Sequence, residues 1–163
     1  MGRNKASLPI HLDTFSSRLQ KTFTNAGFFI QETRPDIVPG RGPISGIHTA
    51  LKNSTCNTNV FLACDMPVVD PGFVRRMQEI AGDYDAIWTC QDRMVGFPFI
   101  LRHNSLAQIE EWMRVEKTFS LQEVSKKFRS LLVFPNEKEK PGLLNINTPE
   151  DYQNFLTRNA GGV

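Results

Sequence analysis

Residues 59–67 read Asn-Val-Phe-Leu-Ala-Cys-Asp-Met-Pro, an apolar run of strand length stopped by a carboxylate and then a proline turn. A run with almost no polar alternation predicts a strand buried on both faces, with Cys64 as a small core residue. Strands of that kind belong to parallel sheets, which place ligands outside the carboxyl ends of their strands. Asp65 stands at that end. Two readings are open for it. It is either a ligand for a divalent metal held against a phosphorylated substrate, or a turn residue whose side chain satisfies local backbone donors.

The flanking pattern sets the fold class. Phe15, Leu19 and Phe23 fall at helical spacing, with Asp13 or Thr14 as cap and Gly27 as terminator, and Phe28 to Ile30 predicts a brief strand. A helix is expected over Ile44 to Lys52. Asp70-Pro71-Gly72 opens another, carrying Phe73, Val74, Met77 and Ile80 on its apolar stripe and ending at Gly82. Ala86 to Thr89 and Gly96 to Leu101 read as strands, and Pro98 points the second to a sheet edge or an irregular strand. Helices over Ser105 to Arg114 and Ser120 to Phe128 precede a strand at Leu131 to Phe134. A short extended piece, Leu143 to Asn147, leads into a last helix capped by Thr148 with Pro149 first and Glu150 and Asp151 in its opening turn. Strands alternating with helices predict an α/β fold with a mostly parallel sheet.

With 163 residues the chain is expected to form a single domain over 1–158, followed by a frayed tail from Asn159. Nineteen basic and 17 acidic residues are spread along it, so no basic arm points to nucleic acid. No apolar stretch has the length of a membrane span, and residues 1–5 lead into no signal-peptide hydrophobic region. The three cysteines, Cys56, Cys64 and Cys90, lack paired spacing, which argues against a disulfide framework or a zinc knuckle. A reduced cytoplasmic setting is expected. His11, His48 and His103 have no metal-binding spacing and read as surface or loop residues.

Three further groups could carry chemistry. Gly2 with Lys5 would offer a mobile point charge to phosphate, although these residues alone favour a solvated lysine. Residues 34–46, RPDIVPGRGPISG, hold three prolines and three glycines. Such a loop, which contains Asp36, is either a tight structural connection or a place where backbone approaches a base or phosphate at a helix N-terminus. Asn145 and Asn147, two apart in an extended segment, share one face and could meet a polar ligand or a metal-bound water, or could simply order the turn.

Taken in order, these segments resemble the molybdenum cofactor guanylyltransferase family of the MobA type, within the α/β nucleotidyltransferases. Met1-Gly2-Arg3-Asn4-Lys5 resembles the second half of the opening signature L-A-G-G-x-S-x-R-M-G-x-x-K. Residues 36–47, DIVPGRGPISGI, resemble D-x-x-P-G-x-G-P-L-x-G-I; Cys64-Asp65-Met66-Pro67 resembles C-D-x-P; and residues 145–151, NINTPED, resemble N-x-N-T-P-E-[DE]. The resemblance tips Asp65 toward metal binding.

The resemblance implies a three-layer, Rossmann-like nucleotidyltransferase fold that transfers GMP from GTP to the phosphate of molybdenum-bound molybdopterin, releasing pyrophosphate. By its motifs, Lys5 contacts GTP phosphates, Asp36 lies on the guanosine side, and Gly42, Pro43 and Gly46 lie along the nucleotide. Asp65 is the Mg²⁺ ligand, and Asn145 and Asn147 lie near the pterin and the metal. A monomer is expected, with transient contacts to molybdoenzyme maturation proteins, and neither nucleic acid nor membrane as partner. The first half of the signature, which supplies the first parallel strand and the glycine turn, is not matched, so a sheet without that strand and weakened nucleotide affinity are expected. The family's second strand is expected to be missing or compressed into residues 28–31. Cytidylyl transfer to the same cofactor, or a non-catalytic binding domain, are the alternatives.

Overall fold

The structure, a computed structural model, describes residues 9–10, 13–31, 35–115 and 119–159. It forms two compact units, one built from residues 1–30, 63–71 and 136–163 and the other from 31–62 and 72–135.

The second unit carries a four-stranded sheet. Its strands are β3 (Thr58–Phe61), β4 (Ala86–Gln91), β5 (Met94–Arg102) and β6 (Ser130–Val133), ordered β3-β5-β4-β6. β4 and β6 pair parallel, while β5 runs antiparallel to both β3 and β4. Three strands therefore share one direction, and β5 reverses between two of them. β4 is buried along almost its whole length, and Trp88 on it is fully enclosed. Trp88 stacks on Phe99 at 4.5 Å and donates its indole N–H to Ser130 Oγ at 3.1 Å, which satisfies its one polar atom.

Helices α2 (Pro43–Asn53), α4 (Ser105–Val115) and α5 (Leu121–Lys127) cover one face of this sheet, and α3 (Pro71–Glu79) covers the other. Ile44, Ile47 and Leu51 of α2 meet Ile109 and Met113 of α4 and Val124 of α5 over Ala86, Trp88, Phe99 and Leu101. Each such large side chain taken from water contributes about 1.5–3 kcal/mol. Trp112, the other tryptophan of the chain, packs between α4 and α5, 4.9 Å from the Phe128 ring. α5 starts where Ser120 and Glu123 cap each other reciprocally, and the backbone N–H of Ser120 pulls the Glu123 carboxyl below its ordinary pKa.

The first unit holds a two-residue hairpin, β1 (Pro9–Ile10) with β2 (Asp13–Thr14), then α1 (Phe15–Asn25) and α6 (Pro149–Asn159). Phe15, Ile146 and Phe155 form its core, with Phe15 and Phe155 edge to face at 5.6 Å. Thr14 caps α1 with a reciprocal bond to Ser17.

Several sequence expectations are corrected. Residues 28–31 form no strand, because Phe28 completes the end of α1. Its N–H reaches Phe23 O at 2.9 Å, the Gly27 N–H reaches Thr24 O at 2.9 Å, and Gly27 adopts φ +82°. That is a Schellman ending, sealed by the Phe23 and Phe28 rings at 5.2 Å. β3 is half-buried and stops at Phe61, and among the described residues it pairs only with β5. Cys64 is therefore exposed rather than a core residue.

Of the two alternatives for the strand carrying Pro98, the structure has the irregular one and not the edge: β5 is an interior strand. The register slips between Trp88 and Thr89, so Phe97 and Pro98 take no part in the ladder and the missing proline N–H costs no hydrogen bond. Thr89 Oγ1 instead donates to Pro98 O at 2.6 Å. Ile80 is 45% exposed, beyond the end of α3, so it leaves the expected stripe. α6 continues through Asn159. His48 is buried on α2 rather than on the surface, because its ring turns toward Glu110 of α4. His11 lies outside the described residues.

Candidate functional site

In the first unit, the chain leaving β3 turns at Ala63–Met66, with the Met66 N–H donating to Ala63 O at 3.2 Å. Asp65 is half-buried on this turn, anchored below by the buried Met66 and Pro67. Its carbonyl accepts the N–H of Ile146 at 2.8 Å. Ile146 is itself 4% exposed and packed in the Phe15–Phe155 core, so the bond ties the Asp65 turn to a buried anchor.

Asn145 and Asn147 are exposed on either side of buried Ile146, the same-face arrangement expected of an extended segment. The segment forms no ladder strand. A short 3-10 turn, Lys140–Leu143, precedes it. Beyond it, Asp151 Oδ2 accepts the N–H groups of Asn147 at 3.0 Å and Thr148 at 2.8 Å, and the Asp151 N–H returns to Thr148 Oγ1 at 3.0 Å. This capping box starts α6 and fixes the backbone of Asn147.

Gly142 is a contributor that the sequence did not single out. A Cβ placed on it would lie 2.8 Å from Val68 O, so the backbone of residue 142 lies directly against the chain just after the Asp65 turn. Only glycine permits that approach. The Pro141-Gly142 pair, a turn signal, is the hint that the sequence holds.

In the second unit, residues 36–42 lead into α2. Gly40 and Gly42 have φ of +82° and +69°, the left-handed region that favours glycine. Gly42 is the N-cap of α2 without a side-chain cap, and Pro43 is its first residue, so the opening of the helix presents backbone rather than side chain. A Cβ on Gly46 would lie 3.8 Å from Asp36 Oδ1, which puts the Asp36 carboxylate over the first turns of α2. The Ile37 N–H donates to Thr49 Oγ1 at 2.9 Å, and the Arg41 N–H to Ser45 Oγ at 3.1 Å. On the same helix, Glu110 of α4 accepts Lys52 Nζ at 2.6 Å and lies 3.3 Å from His48 Nε2, and these two partners hold its carboxyl below the usual range.

Of the residues singled out from sequence, Asp65, Asn145 and Asn147 are brought together in the first unit through the Ile146 bond. Asp36, Gly42, Pro43 and Gly46 are brought together in the second, at the start of α2. Gly2 and Lys5 lie outside the described residues. The exposed oxygen donors near Asp65 suit hard cations and polar groups, and the glycine-lined helix start suits an anion or a planar base. The Ser45 and Thr49 hydroxyls were not foreseen, although their spacing of four on a helix places them on one face.

A family model described as the MobA-like NTP transferase domain matches residues 29–130. A Clostridium perfringens protein named "Probable molybdenum cofactor guanylyltransferase" is 29% identical over 177 aligned positions, spanning 96% of this chain and 89% of that protein. Among solved structures, the molybdopterin-guanine dinucleotide biosynthesis protein A of Archaeoglobus fulgidus superposes with a TM-score of 0.75 at 18% identity, covering 98% of this chain and 92% of its own. The 2-C-methyl-D-erythritol 4-phosphate cytidylyltransferase of Thermus thermophilus, a different branch, gives 0.67 at 15% identity over 94% and 92%. The family model covers more than half of the sequence and the relatives agree with it: the chain belongs to the MobA-like NTP transferase family of nucleotidyltransferases.

Proposed function

We propose that this chain transfers GMP from GTP to the phosphate of molybdenum-bound molybdopterin, releasing pyrophosphate. The observation that carries this reading is the 2.8 Å bond from Ile146 to Asp65, which joins the Cys64–Pro67 and Asn145–Asp151 segments into one polar surface. The name of the Clostridium perfringens relative supports the choice of guanylyl transfer.

In this reading an ionised pterin phosphate oxygen attacks the α-phosphorus of GTP, the bond from that phosphorus to the bridging oxygen breaks, and pyrophosphate leaves with the electron pair. The nucleophile is already deprotonated, so no protein base is needed. The task left to the protein is positioning and charge neutralisation.

Asp36 takes the guanosine side, with Gly42, Pro43 and Gly46 letting backbone lie along the nucleotide. Lys5 neutralises GTP phosphates. Asn145 and Asn147 orient the pterin side. Asp65 is the residue that would hold Mg²⁺, whose chemistry is to offset the phosphate charges as the α-phosphorus is attacked. The donors fit that ion. Among the described residues no three His, Cys, Asp or Glu side chains gather as a metal cage, and Mg²⁺ is commonly held by one or two carboxylates together with substrate phosphates.

A thermal-shift series with Mg²⁺ and GTP or CTP, run on the wild-type protein and on Asp65→Asn, tests the reading. GTP should protect more than CTP, and the Mg²⁺-dependent part should vanish in Asp65→Asn. Stronger protection by CTP would transfer the assignment to cytidylyl chemistry, and undiminished Mg²⁺ dependence in the variant would put the metal elsewhere. Pyrophosphate release with GTP and the molybdenum cofactor then separates an enzyme from a domain that only binds.

A further inference from the structure

The residues between Asp36 and Gly42 do not hang free from the start of α2. Thr49 and Ser45 are 1% and 0% exposed and sit one helical turn apart on α2. Their hydroxyl oxygens accept the backbone N–H groups of Ile37 at 2.9 Å and Arg41 at 3.1 Å. The loop thus runs back along the helix, with its earlier residue fastened to the later helical position and its later residue to the earlier one. The two fastenings are spaced by about 6 Å of helix.

A buried hydroxyl without a partner would be costly, so each pair is held from both sides: the helix needs the amide and the loop needs the oxygen. Between the fastenings the chain passes through Pro39 and Gly40. Asp36 is one residue outside the Thr49 fastening, and its carboxylate lies over Gly46 on the same helix.

We infer that Thr49 and Ser45 are positioning residues for nucleotide binding. The two hydroxyls clamp the 36–42 loop against α2 before nucleotide arrives, with Thr49 setting the carboxylate of Asp36 through the Ile37 amide. The inference rests on the reading of Asp36 as a nucleotide-side residue. Its physical content is preorganisation: a loop already fixed in its binding conformation loses less freedom when the ligand arrives. Neither hydroxyl needs to touch the ligand. Removing one should weaken affinity for GTP and raise KM while leaving kcat close to wild type, because the loss occurs before the chemical step.

The test uses the full chain as wild type, Thr49→Val, Thr49→Ser and Ser45→Ala. Thr49→Val keeps the shape and deletes the acceptor; Thr49→Ser restores the acceptor. Hydrogen exchange at the Ile37 and Arg41 amides is measured without nucleotide, and GTP affinity is measured with Mg²⁺ by calorimetry. In Thr49→Val the Ile37 amide should lose protection while the amides of β4 keep theirs, and GTP affinity should fall by about threefold to tenfold, the span of one net hydrogen bond. Thr49→Ser should restore both, and Ser45→Ala should expose the Arg41 amide instead.

If wild type binds GTP and Thr49→Val binds it equally well, the clamp is not a positioning device and the inference falls alone. Unchanged exchange at Ile37 in Thr49→Val also overturns it. If wild type itself binds no nucleotide, the reading of the loop as a nucleotide site falls, and the positioning role falls with it. An even loss of protection across β4 would mark a general folding defect and would likewise overturn the assignment.

Discussion

The backbone N–H of Ile146 donates to the carbonyl of Asp65 at 2.8 Å, joining two segments that lie far apart in sequence. The bond uses main-chain atoms at both ends, so the side chain of Asp65 can be changed without removing it. Asp65→Asn therefore leaves this bond in place while it replaces the carboxylate proposed to hold the metal.

Gly142→Ala should destabilise the first unit. The new methyl would lie 2.8 Å from the Val68 carbonyl, against backbone rather than a side chain that could swing aside. A loss of about 1–3 kcal/mol is expected, as for other overpacked sites. Chemical denaturation followed by far-ultraviolet circular dichroism measures it, and a variant as stable as wild type would show that this contact relaxes freely.

Asp151→Ala should remove the acceptor for the Asn147 and Thr148 amides and leave Thr148 to cap α6 alone. The expected loss is about 1 kcal/mol, with faster amide exchange at Asn147. Exchange that quickens along all of α6 but not at Asn147 would contradict the assigned role.

Acid should find out Glu110. Hydrogen bonds from Lys52 and His48 hold its folded carboxyl below the ordinary 4.5, so the folded state binds fewer protons there than the unfolded chain does. Its contribution to stability is complete above 4.5 and is lost as pH falls through the lower folded value. Melting midpoints of wild type and Glu110→Gln should therefore converge on acidification. Parallel curves through that range would mean that the carboxyl is not paired in solution.

Arg93→Gly should stabilise the β4–β5 hairpin. Asp92 and Arg93 have φ of +49° and +65°, the positive values required at both central residues of a type I′ turn. A side chain in that region carries a penalty that glycine avoids, partly offset by the greater freedom of glycine in the unfolded chain. A net gain of about 0.5–1 kcal/mol is expected from equilibrium unfolding. A loss would show that the arginine side chain contributes more than its backbone strain removes.

Much of this was legible in the residues because some of their signals are local. Pro71 and Pro149 mark helix starts by chemistry that needs no tertiary partner, and both open helices where expected. Asn145 and Asn147 share an exposed face because strand geometry alternates whatever lies nearby. The misreadings arose where a distant or unforeseen partner decided. Phe28 looked like strand until its ring met Phe23 in a helix ending, and at Pro98 only the slipped register beside Trp88 decides between a sheet edge and an irregular interior strand. His48 carried no sign in sequence that Glu110 waits on another helix. The hydroxyls of Ser45 and Thr49 were hidden for a related reason, since only the folded loop shows which amides they receive.

The placement of the two tryptophans governs how the molecule can be watched. Trp88 and Trp112 both belong to the second unit, one between strands and the other between α4 and α5. Intrinsic tryptophan emission therefore reports the sheet and its helices and has no emitter in the unit that holds Asp65, Gly142 and Asn147. A fluorescence melt could look unperturbed while the Asp65 turn had already loosened. Tyr152, which packs against Phe15 at 6.0 Å in that unit, is the native chromophore placed to see it.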